Sequence, residues 1–458
     1  MFHREQTPGR FMQRLRLTHG LVSSNQARAI ARCASDFGSG VLDLTTRQQV
    51  QLRDLSLSDV PALFARQHAA GLHSMQTGMD NVRNVTGCPV AGLDAAELLD
   101  TRLLARELTD QLMGNRAYTN LPRKFNLCLS GCSENCAHAE TNDLAFVPAA
   151  RERRQGRELG FNLRAGGALG GAAPRFATPL DVFVRPEEVV EAALCVLDLF
   201  RDHGPRERRS HSRLKVLLET WGEVRFRAEL EARLGRRLER AAEREYLGEG
   251  LNAHLGVHKQ RQADLYYVGL CVPVGRMRAA QLEGLAELAE RFGKGQLRFT
   301  VGQNVLIPHV PESRLNALLA EPLLNELSPA PHPALAGLVA CVGNDYCAYS
   351  TIDTKGLGLQ LAERLKGRLP DDEPARIHIS GCPRGCGKHQ VAAFGLLGSL
   401  QRCGDEIRPA AELFLGGALG PRMKLGEKAA ERIDWSELPD LLVRLAGGAG
   451  AETARRSA

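Results

Sequence analysis

Two segments of the chain share one pattern of apolar and polar positions. Each begins with a stretch typical of a helix, SSNQARAIARCASDF at 23–37 and AAQLEGLAELAERF at 279–292. A serine at the start of the first stretch is suited to capping a helix N-terminus. Each stretch continues into residues that alternate between apolar and polar, which is typical of strands. The pattern therefore predicts a small α/β module that is present in two copies.

The two copies align without gaps, DFGSGVLDLTTRQQVQL at 36–52 on RFGKGQLRFTVGQNVLI at 291–307. The residues of the first copy that recur in the second are Phe37, Gly38, Gly40, Leu42, Thr45, Gln48 and Val50. The copies have also diverged, because the second has Gly302 where the first has Arg47. The second copy contains CVGNDYC at 341–347, where the first has only RNVTGCPVAG with Cys88. One half therefore supplies metal ligands and the other supplies cations.

A second pair of matches lies further along the chain. SGCSENC at 130–136 matches SGCPRGC at 380–386, and GGALG recurs at 166–170 and 416–420 with the same offset. Shared offsets indicate an internal duplication, with ancestral halves near 10–250 and 260–450. The charged, helix-favouring segment at 206–245 is a plausible connector between them. Two related halves naturally form a cleft where they meet.

The composition is that of a folded protein of two or three domains: 458 residues, 43% apolar and 24% charged. We find no signal peptide and no membrane-spanning run, which predicts a cytoplasmic protein that does not bind membranes. Twelve cysteines in that setting favour metal or redox chemistry over disulfides. The net charge of +6 suits an anionic substrate, a polycarboxylate cofactor or an acidic partner. Few aromatic residues and no basic run argue against nucleic-acid binding.

Four cysteines of the second half form the strongest chemical signal. Cys341 and Cys347 are followed by a run that starts as a helix, and then by Cys382 and Cys386. Four thiolates in two loops are what a cubane iron–sulfur cluster requires, since each iron takes one sulfur ligand. Structural zinc, which usually prefers a CxxC knuckle, and a set of inert buried cysteines remain as alternatives.

The segments CVGNDYC and SGCPRGCGKHQ resemble the cluster and siroheme signature of the nitrite and sulfite reductase family. The resemblance extends from about Phe11 to Leu419, through GVLDLTTRQ, RNVTGCPVAG, NLPRKFN, NDLAF, PRFATPLDVFV and LYYVGLCVPVGR. It implies that Cys341, Cys347, Cys382 and Cys386 hold a [4Fe–4S] cluster. It also implies that Cys386 bridges this cluster to a siroheme iron, with Thr46, Gln48 and Asn344 as further cofactor-binding residues.

The fold implied by the resemblance is α+β and internally duplicated. Two ferredoxin-like half-domains, at 10–75 and 255–320, would form a central module. A first siroheme-binding domain with the helical connector would occupy 76–250, and a [4Fe–4S] and siroheme domain would occupy 321–450. Siroheme would lie between these two flanking α/β domains.

The activity implied by the resemblance is the assimilatory six-electron reduction of nitrite to ammonium, with electrons from an acidic ferredoxin or a similar carrier. Siroheme carries eight carboxylates and the substrate is an oxyanion, so both need Arg and Lys donors in a buried site. The family's motifs place Arg47, Arg83, Lys124 and Asn126 around the substrate. In NLPRKFN, Lys124 is followed by Asn126, as in nitrite reductases, whereas sulfite reductases have a second Lys there.

Three other functions stay open at this point. An assimilatory sulfite reductase shares every cofactor motif, a precorrin-3B synthase-like monooxygenase keeps the cluster without siroheme, and an inactive cluster-bearing subunit would not need the cations. The first-copy cysteines Cys88, Cys128, Cys132 and Cys136 would then be either a second cluster or, as we prefer, duplicated remnants. His138 and His389 are expected to be loop histidines with ordinary partners. The glycines of GGALGG are expected to allow a close backbone approach.

Overall fold

The computed structural model describes residues 2–154, 156–171, 173–251, 253–370 and 375–447. The strands of the first half are β1 (Phe2–Arg4), β2 (Phe11–Arg14), β3 (Leu21–Ser23), β4 (Val41–Leu44), β5 (Val50–Leu55), β6 (Val82–Gly87), β7 (Phe125–Leu129), β8 (Leu144–Arg153), β9 (Gly156–Ala165), β10 (Thr178–Val184) and β11 (Arg244–Glu245). Its helices are α1 (Ser24–Phe37), α2 (Val60–Ala69), α3 (Arg102–Leu112), α4 (Val189–His203) and α5 (Leu214–Leu234).

The second half repeats most of this order of elements. Its strands are β12 (Gly256–Lys259), β13 (Leu265–Leu270), β14 (Arg276–Arg278), β15 (Gln296–Phe299), β16 (Val305–Pro311), β17 (Leu338–Ala340), β18 (Ile377–Ser380), β19 (Phe394–Cys403), β20 (Glu406–Leu415) and β21 (Glu427–Asp434). Its helices are α6 (Ala279–Phe292), α7 (Leu315–Leu319), α8 (Pro333–Ala336), α9 (Thr354–Leu365) and α10 (Leu438–Gly447). The repeated order agrees with the duplication read from the sequence.

Two sheets each contain one strand from the other half of the chain. One sheet has the order β1-β2-β5-β4-β14, so its last strand comes from the second half. The other has the order β12-β13-β16-β15-β3, so its last strand comes from the first half. Met277 lies opposite Leu42 in the first exchange, and Val22 lies opposite Leu297 in the second. The exchange joins the two copies into one central unit.

The helices α1 and α6 lie against each other over these two sheets. Helix α1 begins with a capping box, in which Ser23 accepts from the amide of Gln26 and the Gln26 side chain accepts from the amide of Ser23. One apolar cluster contains buried residues of both helices, including Ile30 and Leu285. The helices predicted at 23–37 and 279–292 are therefore confirmed.

Two further sheets have the orders β10-β9-β8-β7-β6, with β11 paired to β8, and β17-β18-β19-β20-β21. In each, three strands pair in parallel before an antiparallel hairpin follows. The loops that carry the cysteines leave the ends of the parallel strands, and ligands of open sheets bind at this edge. Cys88 follows β6 and Cys341 follows β17, so the fold places the two cysteine groups in related positions.

The segment predicted as a connector belongs to a hydrophobic core as well. Helix α5 changes direction at Gly222, which has φ 71° and is not helical. Its residues Leu217 and Phe226 are buried in the same cluster as strands β7 to β10. Among the described residues, we find no helix that is both long enough and apolar enough to cross a bilayer. The domain limits remain a prediction, and residues 371–374 and 448–450 of the predicted last domain lie outside the described residues.

Candidate active site

The four cysteines predicted to hold the cluster all line one cavity between the two copies. The cavity has a volume of about 310 Å³ and is bordered by Cys341, Cys347, Cys382 and Cys386. The same lining includes the cations Arg14, Arg47, Arg53, Arg83, Lys124 and Arg384. A smaller cavity of about 30 Å³ adjoins it, shares Arg47, Lys124 and Cys386, and adds Asn126, Arg213 and Lys388. The structure thus brings together the predicted thiolates and the predicted cations.

The thiol groups are spread around the cavity. Cys341 accepts a hydrogen bond from the amide of Gly381 over 3.2 Å, which ties the first cysteine loop to the second. No three of the four Sγ atoms lie within 4.8 Å of one another, although all four residues are described. Such spacing fits a cluster in which each iron takes its own thiolate better than it fits a single metal ion. Burial raises the pKa of Cys341, which a bound metal would lower again.

Arg47 and Lys124 are cations without a counter-ion in the described part of the chain. Neither side chain forms a hydrogen bond or an ion pair with any described residue. Burial lowers the pKa of both groups, and the neighbouring Arg47 lowers that of Lys124 further. The Arg47 backbone is held in place, since the Asn84 amide donates to its carbonyl oxygen over 2.9 Å. These two side chains are therefore available to an anion.

Arg83 and Arg14 are fixed by carbonyl groups instead of carboxylates. Arg83 donates to the carbonyl oxygen of Met79 over 2.8 Å, and Arg14 donates to that of Thr77 over 3.0 Å. Burial, together with the nearby Arg14 and Arg47, lowers the pKa of Arg83 to about 8. Mutual repulsion of this kind is relieved when an anion occupies the space between the cations.

Asn126 lies at the edge of the smaller cavity. Its backbone amide donates to the Asp143 carboxylate over 2.8 Å, and Arg213 holds the same carboxylate at 2.6 Å. The side-chain oxygen of Asn126 is buried and has no hydrogen-bond partner among the described residues. An unpaired buried acceptor beside unpaired cations indicates that this space is shaped for a polar ligand.

The remaining predicted cofactor residues have different surroundings. The Thr46 hydroxyl donates to the carbonyl oxygen of Cys386 over 3.2 Å. The Gln48 amide donates to the carbonyl oxygens of Gly87 and Phe299 over 3.0 and 3.1 Å, so its contacts are with backbone. Asn344 does not line either cavity, and its backbone amide donates to Ile352. The cofactor roles of Gln48 and Asn344 stay predictions.

Several cations of the site were not identified from the sequence. Arg14, Arg53, Arg213, Arg384 and Lys388 line the two cavities but were not named as site residues. For Lys388 a signal existed, because it stands two residues after Cys386 in GCGK. Its pKa is lowered to about 8 by burial, and its ammonium lies 3.2 Å from Nδ1 of His138. His138 also contacts the carbonyl oxygen of Gly250 and is a loop histidine with partners, as expected. The same expectation is not met by His389, whose buried Nδ1 has no hydrogen-bond partner among the described residues.

The cavity fits a large polyanionic cofactor. The only acidic side chain on its described walls is Glu5, which forms an ion pair with Arg53 at 3.2 Å. The other cations lack an acidic partner among the described residues, which suits the carboxylates of siroheme. The GGALG loop makes the expected close approach, because a Cβ on Gly170 would lie 2.4 Å from the carbonyl oxygen of Arg384. The loop thereby packs directly against the second cysteine segment.

Comparison with known proteins identifies the family. Residues 3–70 and 258–325 match the profile described as "Nitrite/Sulfite reductase ferredoxin-like half domain". Residues 78–238 match the profile described as "Nitrite and sulphite reductase 4Fe-4S domain". The chain is 45% identical to the ferredoxin–nitrite reductase of Synechococcus elongatus over 97% of its own length and 87% of the relative. The chain therefore belongs to the nitrite and sulfite reductase family.

Another relative and a solved structure support the same family assignment. The chloroplastic ferredoxin–nitrite reductase of Zea mays is 42% identical, with 99% of this chain and 82% of that protein covered. The solved structure of the NirA protein of Mycobacterium tuberculosis superposes with a TM-score of 0.92 at 28% identity, covering 100% of this chain and 88% of that one. The predicted duplicated α+β fold with ferredoxin-like halves is confirmed. Siroheme and a [4Fe–4S] cluster are the cofactors that membership of this family implies.

Proposed function

We propose that the protein is an assimilatory ferredoxin-dependent nitrite reductase, which reduces nitrite to ammonium with six electrons. The observation that carries the proposal is the cavity in which four thiols face cations without counter-ions. The names of the relatives support the substrate and the donor, since they include cyanobacterial, plant and archaeal ferredoxin-dependent nitrite reductases. An archaeal one, from Haloferax mediterranei, is named assimilatory and is 37% identical over 95% of this chain.

Cys341, Cys347, Cys382 and Cys386 are the residues that we propose as cluster ligands. They lie outside the range 78–238 that matches the 4Fe-4S domain profile, and that range contains Cys88, Cys128, Cys132 and Cys136 instead. The geometry favours the second copy, where the thiols are spread and line the large cavity. When bound beside this cluster, siroheme would supply an iron that takes nitrite and passes electrons to it.

The cations have separate tasks in this proposal. Arg47 and Arg83 bind the substrate oxyanion and the cofactor carboxylates, because a guanidinium offers fixed, bidentate donors. Lys124 donates a proton to a departing nitrite oxygen, since its lowered pKa makes the proton easier to give up. Nitrite consumes eight protons and releases two water molecules, so a replenished donor is needed at each step. Asn126 holds the substrate with a neutral amide.

The electron donor in our proposal is an acidic ferredoxin. The net charge of +6 favours encounter with an acidic carrier at low ionic strength. The cysteine-rich cofactor site is typical of a reducing compartment, and we place the protein in the cytoplasm. Sulfite is the alternative substrate, because it is an oxyanion of similar size that needs the same cofactors.

Absorption spectroscopy together with steady-state assays tests the proposal. The purified protein is expected to show siroheme bands, iron and sulfide of one [4Fe–4S] cluster, and ammonium formation from nitrite with reduced ferredoxin or a viologen dye. A cluster without siroheme bands would move the assignment to the monooxygenase. Faster turnover of sulfite than of nitrite would make the protein a sulfite reductase. Intact cofactors without turnover of either substrate would indicate that the protein is an inactive cluster-bearing subunit.

A further inference from the structure

Three thiol groups meet in the first copy, away from the large cavity. The Sγ atoms of Cys88, Cys132 and Cys136 all lie within 4.8 Å of one another, and all three residues are buried. The Sγ atoms of Cys132 and Cys136 are 3.6 Å apart. The Nε2 atom of His254 lies 3.0 Å from Sγ of Cys136. Four groups that commonly bind metals therefore converge on one point.

The duplication explains where these thiols come from. Cys88 follows β6 as Cys341 follows β17, and SGCSENC aligns Cys132 and Cys136 with Cys382 and Cys386. The counterpart of Cys347, six residues after the first cysteine, is Asp94. The first copy thus keeps three of the four thiols and lacks the fourth. A site derived from a cluster site but missing one ligand needs a fourth group from elsewhere.

The distances favour a single metal ion over a second cubane. Around one tetrahedral ion with metal–sulfur bonds of about 2.3 Å, two thiolates lie about 3.8 Å apart. The observed 3.6 Å is close to this value. The surroundings are also too tight for inorganic sulfides, because the three cysteines pack in an apolar cluster with Val90, Leu93, Tyr267 and Leu306. The cavity that Cys136 borders measures only about 70 Å³.

His254 has the orientation of a metal ligand. Its other ring nitrogen, Nδ1, lies 3.1 Å from the hydroxyl of Tyr267, which fixes the ring so that Nε2 points at the thiols. A hydrogen bond of this kind on the far nitrogen is usual for histidines that bind metals. Residue His254 is only 2% exposed and belongs to the segment that leads into β12. It therefore comes from the half of the chain that does not supply the three thiols.

A buried cation balances the charge that such a site would carry. A divalent ion with three thiolates and a neutral histidine has one net negative charge. Arg298, which is 0% exposed, donates to the carbonyl oxygens of Pro89 and Ala91 over 3.0 and 2.7 Å, directly beneath the Cys88 loop. It forms no ion pair with any described residue, and its Nη2 atom has no partner there. A positive charge at this place needs a nearby anion.

We propose that the first copy holds one zinc ion, bound by the thiolates of Cys88, Cys132 and Cys136 and by Nε2 of His254. The site is closed by four protein ligands, so its role is structural. On binding, the three thiols release their protons to solvent and no electron is transferred. The ion ties the cysteine loops of the first half to the segment that leads into β12. The proposal does not depend on which oxyanion the enzyme reduces.

Elemental analysis of the holoenzyme tests this directly. Cells grown with zinc should yield about one zinc per chain, and X-ray absorption at the zinc edge should show three sulfur neighbours and one nitrogen. In Cys132→Ser and His254→Gln the zinc content should fall at least several-fold, while the siroheme bands and their iron remain. Cys33→Ser, which changes a buried cysteine outside the group, should keep the zinc.

The wild-type protein makes the test decisive even if a variant fails to fold. Protein with no zinc and three alkylatable thiols at these positions would overturn the proposal. Iron and sulfide in excess of one cluster, lost together in Cys132→Ser, would also overturn it in favour of a second iron–sulfur centre. A zinc ion with oxygen neighbours only would show that the metal is bound elsewhere.

Discussion

The hydroxyl group of Thr46 donates a hydrogen bond to the carbonyl oxygen of Cys386 over 3.2 Å. The two residues lie 340 positions apart and belong to different copies. Thr46 stands between Thr45 and Arg47 in the loop that connects β4 to β5, so the bond couples the cationic loop to the proposed bridging cysteine. It is one of the direct links between the two copies at the large cavity.

Replacing Thr46 by Val should loosen this link without unfolding the protein. A hydrogen bond of this type contributes about 1 kcal/mol, so we expect a small loss of stability. We expect a several-fold lower kcat and a shift of the siroheme bands, because the Cys386 backbone would lose its anchor. Absorption spectra and steady-state nitrite assays measure both effects.

The matched control is Thr220→Val, on the exposed face of α5, where the hydroxyl donates to the carbonyl oxygen of Val216 in the same helix. The control should lower neither kcat nor the siroheme bands. An unchanged spectrum in Thr46→Val would mean that the bond does not influence the cofactors.

Removing single thiols should separate cluster ligands from other cysteines. Cys347→Ser and Cys386→Ser should each abolish nitrite reduction and most of the cluster iron, because each thiolate is proposed to hold one iron. Cys403→Ser, at the end of β19, should retain activity and iron. Iron and sulfide analysis of the three variants makes the comparison. Full iron content in Cys347→Ser would contradict the ligand set.

The two copies differ at Arg47, and this difference suggests a test of its role. The variant Arg47→Gly copies the second half, which has Gly302 there. Charge-assisted hydrogen bonds contribute about 1.5–3 kcal/mol, which corresponds to roughly a 10- to 100-fold loss of kcat/KM for nitrite. Arg47→Lys should recover only part of this loss, because an ammonium cannot bind two oxygens side by side. Equal kcat/KM values for Arg47→Gly and the wild type would remove this residue from the site.

How well the fold could be predicted depends on the length of each element. Helices α1 and α6 were predicted correctly because each has a long amphipathic pattern and, for α1, a capping residue. The exchanged strands β3 and β14 have three residues each, which is too short for a recognisable alternation. Their pairing partners are set by tertiary packing, so the sequence could indicate the duplication but not the exchange.

The residues of the candidate site could also be predicted only in part. Residues inside contiguous motifs, such as Cys382 and Lys124, could be identified because the motif itself carries the chemistry. Arg14 and Arg213 were missed because they stand alone in the sequence and reach the cavity only through folding. His254 was missed for the same reason, since it lies 118 residues from the cysteine that it contacts.

The carboxyl group of Glu97 should make stability depend on pH. Burial raises its pKa to about 7, and its oxygens accept from the amide of Gly92 at 2.9 Å. Between pH 4.5 and about 7 the folded state therefore binds more protons at this site than the unfolded state. Its contribution to the unfolding free energy is full below pH 4.5 and is lost as the pH rises through 7.

Denaturant titrations across this pH range would measure the effect. Glu97→Gln should flatten the fall in unfolding free energy between pH 4.5 and 7, because an amide does not titrate. Glu223→Gln, which changes an exposed residue of α5, should leave the slope as it is in the wild type. If the unfolding free energy changed with pH by the same slope in the wild type and in both variants, the role of Glu97 would be refuted.

Asn126 should contribute to the choice between nitrite and sulfite. The residue is 4% exposed and lies in the smaller cavity beside Lys124 and Arg213. Sulfite can carry two negative charges and nitrite only one, so a further buried cation would be better compensated by sulfite. Asn126→Lys is expected to shift the kcat/KM ratio toward sulfite on the order of tenfold, equivalent to about 1.4 kcal/mol. Asn126→Gln keeps the side chain neutral and should lower both values without shifting their ratio. Assays of both substrates with reduced ferredoxin or a viologen dye decide the matter, and a ratio that is the same in Asn126→Lys and the wild type would refute this role.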